Sequence, residues 1–99
     1  KKVLIMGINQ TLKALADPVR RNILEMLKQG PKSAGEIAQA FELTPATVSY
    51  HLSQLKKAGI LLEEKKKNFI YYSLDITVFE EILVWFQSLG GGGNGNEKK

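Results

Sequence analysis

The sequence predicts a mainly helical domain with one small β-hairpin, in the order α-α-α-α-β-β-α. Three observations carry that reading. Two cap-plus-proline pairs, Asp17-Pro18 and Thr44-Pro45, mark helix starts. Apolar residues recur at three- and four-residue spacing up to Ala58. After Gly59 the period changes, and a stretch rich in β-branched and aromatic residues follows. The 99 residues, 43% hydrophobic, suffice for one domain with a single modest core, expected at 7–89.

Each element has its own signal. Ile8, Leu12 and Leu15 recur at i, i+4 and i+7 and predict a first helix ending near Ala16. Asp17 caps a second, whose buried face is Val19, Ile23, Met26 and Leu27, running to Gln29 and stopped by Gly30-Pro31. Ser33 and Glu36 have the spacing of a capping box for a third, two-turn helix with Ala34, Ile37, Ala38 and Phe41 on one face. A three-residue turn, "ELT", leads to Thr44-Pro45 and a fourth helix over 44–58, with Gly59 as its terminator. "ILLEEKKKNFIYYSL" then places two apolar ends around a charged middle, the pattern of a hairpin. Asn68 is expected to take the left-handed conformation at its tip. Asp75 caps a last helix reaching Leu89, apolar over half its cylinder and so wider than one core face needs.

Composition removes several function classes. With no cysteine there is no disulfide, thiolate metal site or redox switch. Fourteen Lys and Arg against ten acids give net +4, which favours an anionic partner. No run of 18 apolar residues occurs, so no membrane insertion is expected and the cytoplasm is the expected location. The opening "KKVLIMGI" is basic and then apolar, but its apolar run is shorter than a signal peptide requires. Residues 1–6 are therefore expected to be a disordered lead or an extraneous remnant, and the Gly-rich residues 90–99 a disordered tail.

The fourth helix carries the sharpest functional signal. At about 100° per residue, Val48, Leu52 and Leu55 form one buried seam, while Ala46, Tyr50, Ser53 and Lys57 fall near the opposite pole. Thr47 and Gln54 project from the same outward half, and His51 sits on the shoulder of the core. The outward face thus holds hydroxyls, a phenol, an amide and an ammonium, but no acid. A solvated face ordinarily mixes both signs, whereas a helix entering the major groove must keep carboxylates away from phosphate. Two helices joined by a short turn, then a hairpin tipped "KKKN", have the layout of a winged helix-turn-helix. On that layout Ala46, Thr47, Tyr50 and Gln54 are the expected base readers. Ser33, Thr44, Ser49, His51 and Lys57 are expected to position the helix on phosphates, with Lys65, Lys66, Lys67 and Asn68 of the wing beside them. Glu63 and Glu64 keep the hairpin base away from the duplex.

"LADPVRRNILEMLKQG", "SAGEIAQAFELTPATVSYHLSQLKKAGIL" and "IYYSL" resemble, in order and spacing, the ArsR/SmtB family of bacterial winged-helix repressors over residues 12–74. The resemblance implies that the helix at 44–58 reads operator DNA and that the first and last helices form a homodimer. It assigns the surplus apolar arc, with Ile8, Leu12, Phe79, Ile82, Trp85, Phe86 and Leu89 as the expected dimer interface. The departures matter too. Ser33 and Gly35 stand where arsenic- and lead-type members have cysteines, and the last helix offers Asp75, Glu80 and Glu81 without a histidine. No metal site and no cofactor are expected, which points to the branch of autorepressor-like members lacking the metal ligands. Tyr50 replaces a second histidine found in many members, and the wing tip lacks the usual glycine and arginines.

His51, the only histidine, has no Cys or His partner for a metal and no paired nucleophile or acid for catalysis, so no enzyme is expected. It is expected to pack its ring on the core while a nitrogen bonds backbone or phosphate, leaving base reading to its neighbours. The function expected is repression by a homodimer occupying an inverted-repeat operator, such as that of its own promoter. The alternatives are a member answering to an unidentified protein or small-molecule effector, and a winged-helix protein-interaction module whose basic face is incidental.

Overall fold

The computed structural model describes residues 2–90. Five helices and three strands follow one another as α1 (Lys2–Ala16), α2 (Pro18–Leu27), β1 (Lys32–Ser33), α3 (Ala34–Phe41), α4 (Pro45–Lys57), β2 (Leu61–Lys66), β3 (Phe69–Leu74) and α5 (Thr77–Leu89). α1 starts at Lys2, so the stretch expected to be a disordered lead is helical from its second residue onward. Of the tail expected at 90–99, only Gly90 is described; it closes α5 through its N–H to the Phe86 carbonyl, and 91–99 lie outside the described residues.

The helix starts follow from side-chain chemistry. The Asp17 carboxylate accepts from the backbone N–H groups of Val19 (2.7 Å) and Arg20 (3.3 Å), ahead of Pro18, which has no N–H to satisfy. Ser33 and Glu36 form the reciprocal capping box: the Glu36 N–H donates to Ser33 Oγ (3.2 Å) and the Ser33 N–H to Glu36 Oε1 (2.8 Å). Thr44 Oγ1 accepts from the Thr47 N–H at 3.2 Å. α4 ends at Gly59, whose φ of +77° lets the Ile60 N–H reach back to the Leu55 carbonyl at 3.1 Å. At α5 the N-cap position falls on Ile76, which has no side-chain cap, and not on Asp75 as expected; the Asp75 carboxylate still accepts from the Thr77 N–H at 3.0 Å.

A cluster of Ala14, Ile23, Leu27, Ile37, Val48, Leu52, Leu55, Ala58, Ile60 and Leu61 forms the core, so α1 to α4 and the base of the hairpin share one interior. α5 packs against α1.

Two features differ from expectation. The sheet has three antiparallel strands, in the order β1-β3-β2, because Lys32 pairs with Tyr72 and Ser33 with Tyr71. The hairpin is therefore tied to the residue that caps α3. At the hairpin tip the left-handed conformation falls on Lys67 (φ +57°) and not on Asn68. In a two-residue turn either central position can carry the positive φ, and a lysine held there keeps its ammonium in solvent at some backbone cost.

Asp17 gives a pH-dependent element of stability. Burial pushes its carboxyl upward, but the N–H groups of Arg20 and Val19 and the Arg20 guanidinium outweigh that and hold it below its ordinary value. A carboxyl held low in the folded state stabilises fully above its unfolded pKa of about 4, and that contribution is lost as pH falls through the folded value. Urea denaturation across a pH series is expected to show Asp17→Asn with a flatter acid limb than the parent, and Asp17→Ala about 1 kcal/mol less stable at neutral pH.

Candidate nucleic-acid interface

α4 is held by its apolar seam. Val48 and Leu55 are fully buried and Leu52 nearly so, which turns the opposite side outward. Ala46, Ser49, Tyr50, Ser53 and Lys57 are exposed there, Tyr50 by 57%, while Thr47 and Gln54 lie half-buried at the edge of the same face. No acid occurs in the helix, and its last turn carries Lys56 and Lys57. Those cations also complement the negative end of the helix dipole. Thr44 is exposed, but its hydroxyl is engaged with Thr47 Oγ1 at 2.9 Å, so the pair presents itself as one unit at the start of the helix. Lys56 reaches Glu63 of β2 at 3.0 Å and ties the hairpin base to α4. Lys65, Lys66, Lys67 and Asn68 are all exposed at the outer end of the hairpin.

His51 is 6% exposed, with its ring packed in the interior as expected, and its Nδ1 lies 3.2 Å from the Arg20 Nη1, a partner the sequence did not point to. A guanidinium can only donate, so Nδ1 accepts and the ring proton sits on Nε2. Arg20 in turn donates from Nε to the Ala14 carbonyl (2.8 Å) and from Nη2 to the Lys13 carbonyl (3.1 Å). One buried guanidinium thus joins the C-terminal end of α1, the start of α2 and the middle of α4. The sequence reading missed Arg20, although it shares the i, i+3, i+7 face of α2 with Ile23 and Leu27 and so stands where only a buried side chain fits.

Ser33 is buried, and its hydroxyl oxygen accepts the Glu36 N–H as the cap of α3, so it is the least exposed of the residues expected at phosphate apart from His51. The interface residues divide as well. Ile8 and Ile82 are already buried within the single chain, and Phe79 packs against the core. Trp85 is half-buried beside Phe86, their rings 5.4 Å apart. Leu12, Phe86 and Leu89 remain exposed, by 45%, 51% and 66%. Phe86 and Leu89 lie four and seven residues beyond Ile82, on the same side of α5.

Among the described residues no three His, Cys, Asp or Glu side chains gather as metal ligands, and no helix is long and apolar enough to cross a membrane.

Comparison with known proteins agrees with this geometry. Residues 17–62, from the cap of α2 into the hairpin, match the bacterial regulatory proteins of the arsR family. The transcriptional repressor SdpR of Bacillus subtilis is 42% identical over 78 residues, covering 79% of this chain and 87% of SdpR. The chain belongs to the arsR family. The arsenical resistance operon repressor of the same bacterium is 32% identical over 98 residues, 93% of each protein. Among solved structures, the homodimeric winged helix-turn-helix DNA-binding domain of Mb0332 from Mycobacterium bovis superposes with a TM-score of 0.73 at 25% identity, over 100% of this chain and 92% of that one. As an arsR-family member the chain is a transcriptional regulator of winged helix-turn-helix fold and not an enzyme.

Proposed function

We propose that the chain represses transcription as a homodimer that occupies an inverted-repeat operator, with α4 of each protomer in the major groove and the wing on the flanking backbone. The observation that carries this is the acid-free outward face of α4, held in place by Val48, Leu52 and Leu55. Ala46, Thr47, Tyr50 and Gln54 are the base-reading candidates. Thr44, Ser49 and Lys57 contact phosphate, and His51 acts one step behind them by fixing α4 through Arg20. The exposed Leu12, Phe86 and Leu89 form the pairing surface. The repressor SdpR and the homodimeric Mb0332 domain support both halves of the reading. Its own promoter is the first place to look for the operator.

Selection of bound sequences from a random duplex pool tests the proposal. A palindromic site with half-sites about 10 base pairs apart, or a multiple of that, is the expected result. Recovery of no preferred sequence in moderate salt would sink it in favour of a protein-interaction module. On the selected operator, Tyr50→Ala and Gln54→Ala are expected to cost about 1–3 kcal/mol each and to relax preference at one base position per half-site. Non-specific affinity should barely move. If both variants keep the parent's specificity ratio, α4 is not reading bases.

A further inference from the structure

The register of the hairpin sorts its side chains onto two faces. Residues directly opposite one another in antiparallel strands share a face, and neighbours along a strand alternate. Leu61 with Leu74, Glu63 with Tyr72, and Lys65 with Ile70 therefore lie on one side. That side turns toward α4, since Leu61 is buried, Tyr72 and Leu74 pack against the core, and Glu63 pairs with Lys56. Ser49 and Ser53 of α4 line a groove of about 230 Å³ together with Glu63 and Tyr72. Carried outward past the core, the same side ends in Lys65 and in Ile70, which is 43% exposed. Lys66 and Phe69 belong to the other side, with Glu64 and Tyr71. There Phe69 is 59% exposed and stands 6.4 Å from the Tyr71 ring, facing away from α4.

We propose that Lys65 and Ile70 together are the wing's contact with the sugar-phosphate backbone of DNA, and that the adjacent Lys66 makes no such contact. The proposal rests on the DNA-binding reading above and names its wing residues. Lys65 donates to a phosphate oxygen, and Ile70 covers the deoxyribose beside it. Reach agrees with this. Four strand residues carry the chain about 14 Å outward from Leu61, comparable to the major groove's width of about 12 Å. Lys65 thus stands well clear of the core on the side that turns toward α4. Ile70 keeps 43% of its surface exposed, and a branched side chain next to a phosphate-bound lysine is well shaped for the flat side of a sugar. Lys66 sits across from Phe69, pointing to the opposite side.

The test is equilibrium binding of the full chain to its selected operator over a series of salt concentrations, with Lys65→Gln, Lys66→Gln and Ile70→Ala beside the parent. Thermal melting verifies that each exposed-site variant is folded. Each phosphate contact contributes about 0.9 to the slope of log K against log salt. Lys65→Gln should therefore lower the slope by about 2 per dimer, while Lys66→Gln leaves it nearly unchanged. Ile70→Ala should weaken operator binding roughly three- to tenfold at an unchanged slope, since it releases no counterion. Equal slope losses from the two lysine variants, or an Ile70→Ala chain that binds like the parent, would overturn the assignment while leaving DNA binding intact. A parent chain that binds no duplex would overturn both.

Discussion

A chain carrying Phe86→Glu and Leu89→Glu is expected to sediment as a monomer at micromolar concentration and to bind its operator about 100- to 10,000-fold more weakly than the parent. Both side chains are at least half exposed in the protomer, so carboxylates there are hydrated in the isolated chain and the fold persists. In a dimer the same carboxylates would be buried against a second apolar surface, at a cost of several kcal/mol each. The loss of DNA affinity is larger than any single contact supplies because it is a loss of linkage. Once two reading helices are joined, the second binds at the effective concentration set by the first, and separation removes that advantage altogether. Sedimentation velocity and operator titration on the same samples check the pair of effects. A variant that remains dimeric, or a monomer with parental operator affinity, would place the pairing surface elsewhere.

Arg20→Ala should be the most damaging single change to stability outside the apolar core, at about 2–4 kcal/mol. The substitution strips a charged donor from the Lys13 and Ala14 carbonyls at the end of α1 and from His51 Nδ1 at once. Helix-end carbonyls lack an intrahelical partner to fall back on, so the Ala14 carbonyl is left buried and unmet and the Lys13 carbonyl, part-buried, loses its donor. Arg20→Lys should recover only part of the loss, since one ammonium on a flexible stem cannot span three acceptors as a planar guanidinium does. For a domain of this size the Ala variant should melt roughly 10–25 °C lower. His51→Phe, which removes one of the three bonds and keeps the ring volume, should cost about 1 kcal/mol. Thermal and urea unfolding of the three variants measures this ordering. Equal losses for Arg20→Ala and His51→Phe would mean the α1 carbonyls contribute nothing.

The helix starts were legible because their chemistry is local. Asp17-Pro18, Ser33 with Glu36 and Thr44-Pro45 each place a side-chain acceptor within three residues of the N–H groups it serves. The outward face of α4 was legible for the same reason, as the alternation of Val48, Leu52 and Leu55 with polar residues is a property of one helix. What escaped was set by distant partners. β1 is two residues long, too short for any period, and its pairing with Tyr71 and Tyr72 is invisible until the hairpin is in place. His51 could be placed on the shoulder of the core, but its partner lies 31 residues earlier in the chain. Ile8 and Ile82 carry the right composition for an interface, yet burial within a protomer and burial between two protomers leave the same apolar signature in sequence.

The pairing of β1 with β3 also orders the birth of the domain in time. The capping bonds that start α2, α3 and α4 close over a few residues, and helix formation itself takes only microseconds. β1 must wait for a partner about 40 residues downstream, a loop closure that costs entropy before any strand bond repays it. During synthesis at about 5–20 residues per second, the reading helix can thus take shape seconds before the sheet that steadies it. Arrival of Tyr71 and Tyr72 then gives β1 its partner and ties the cap of α3 to the hairpin.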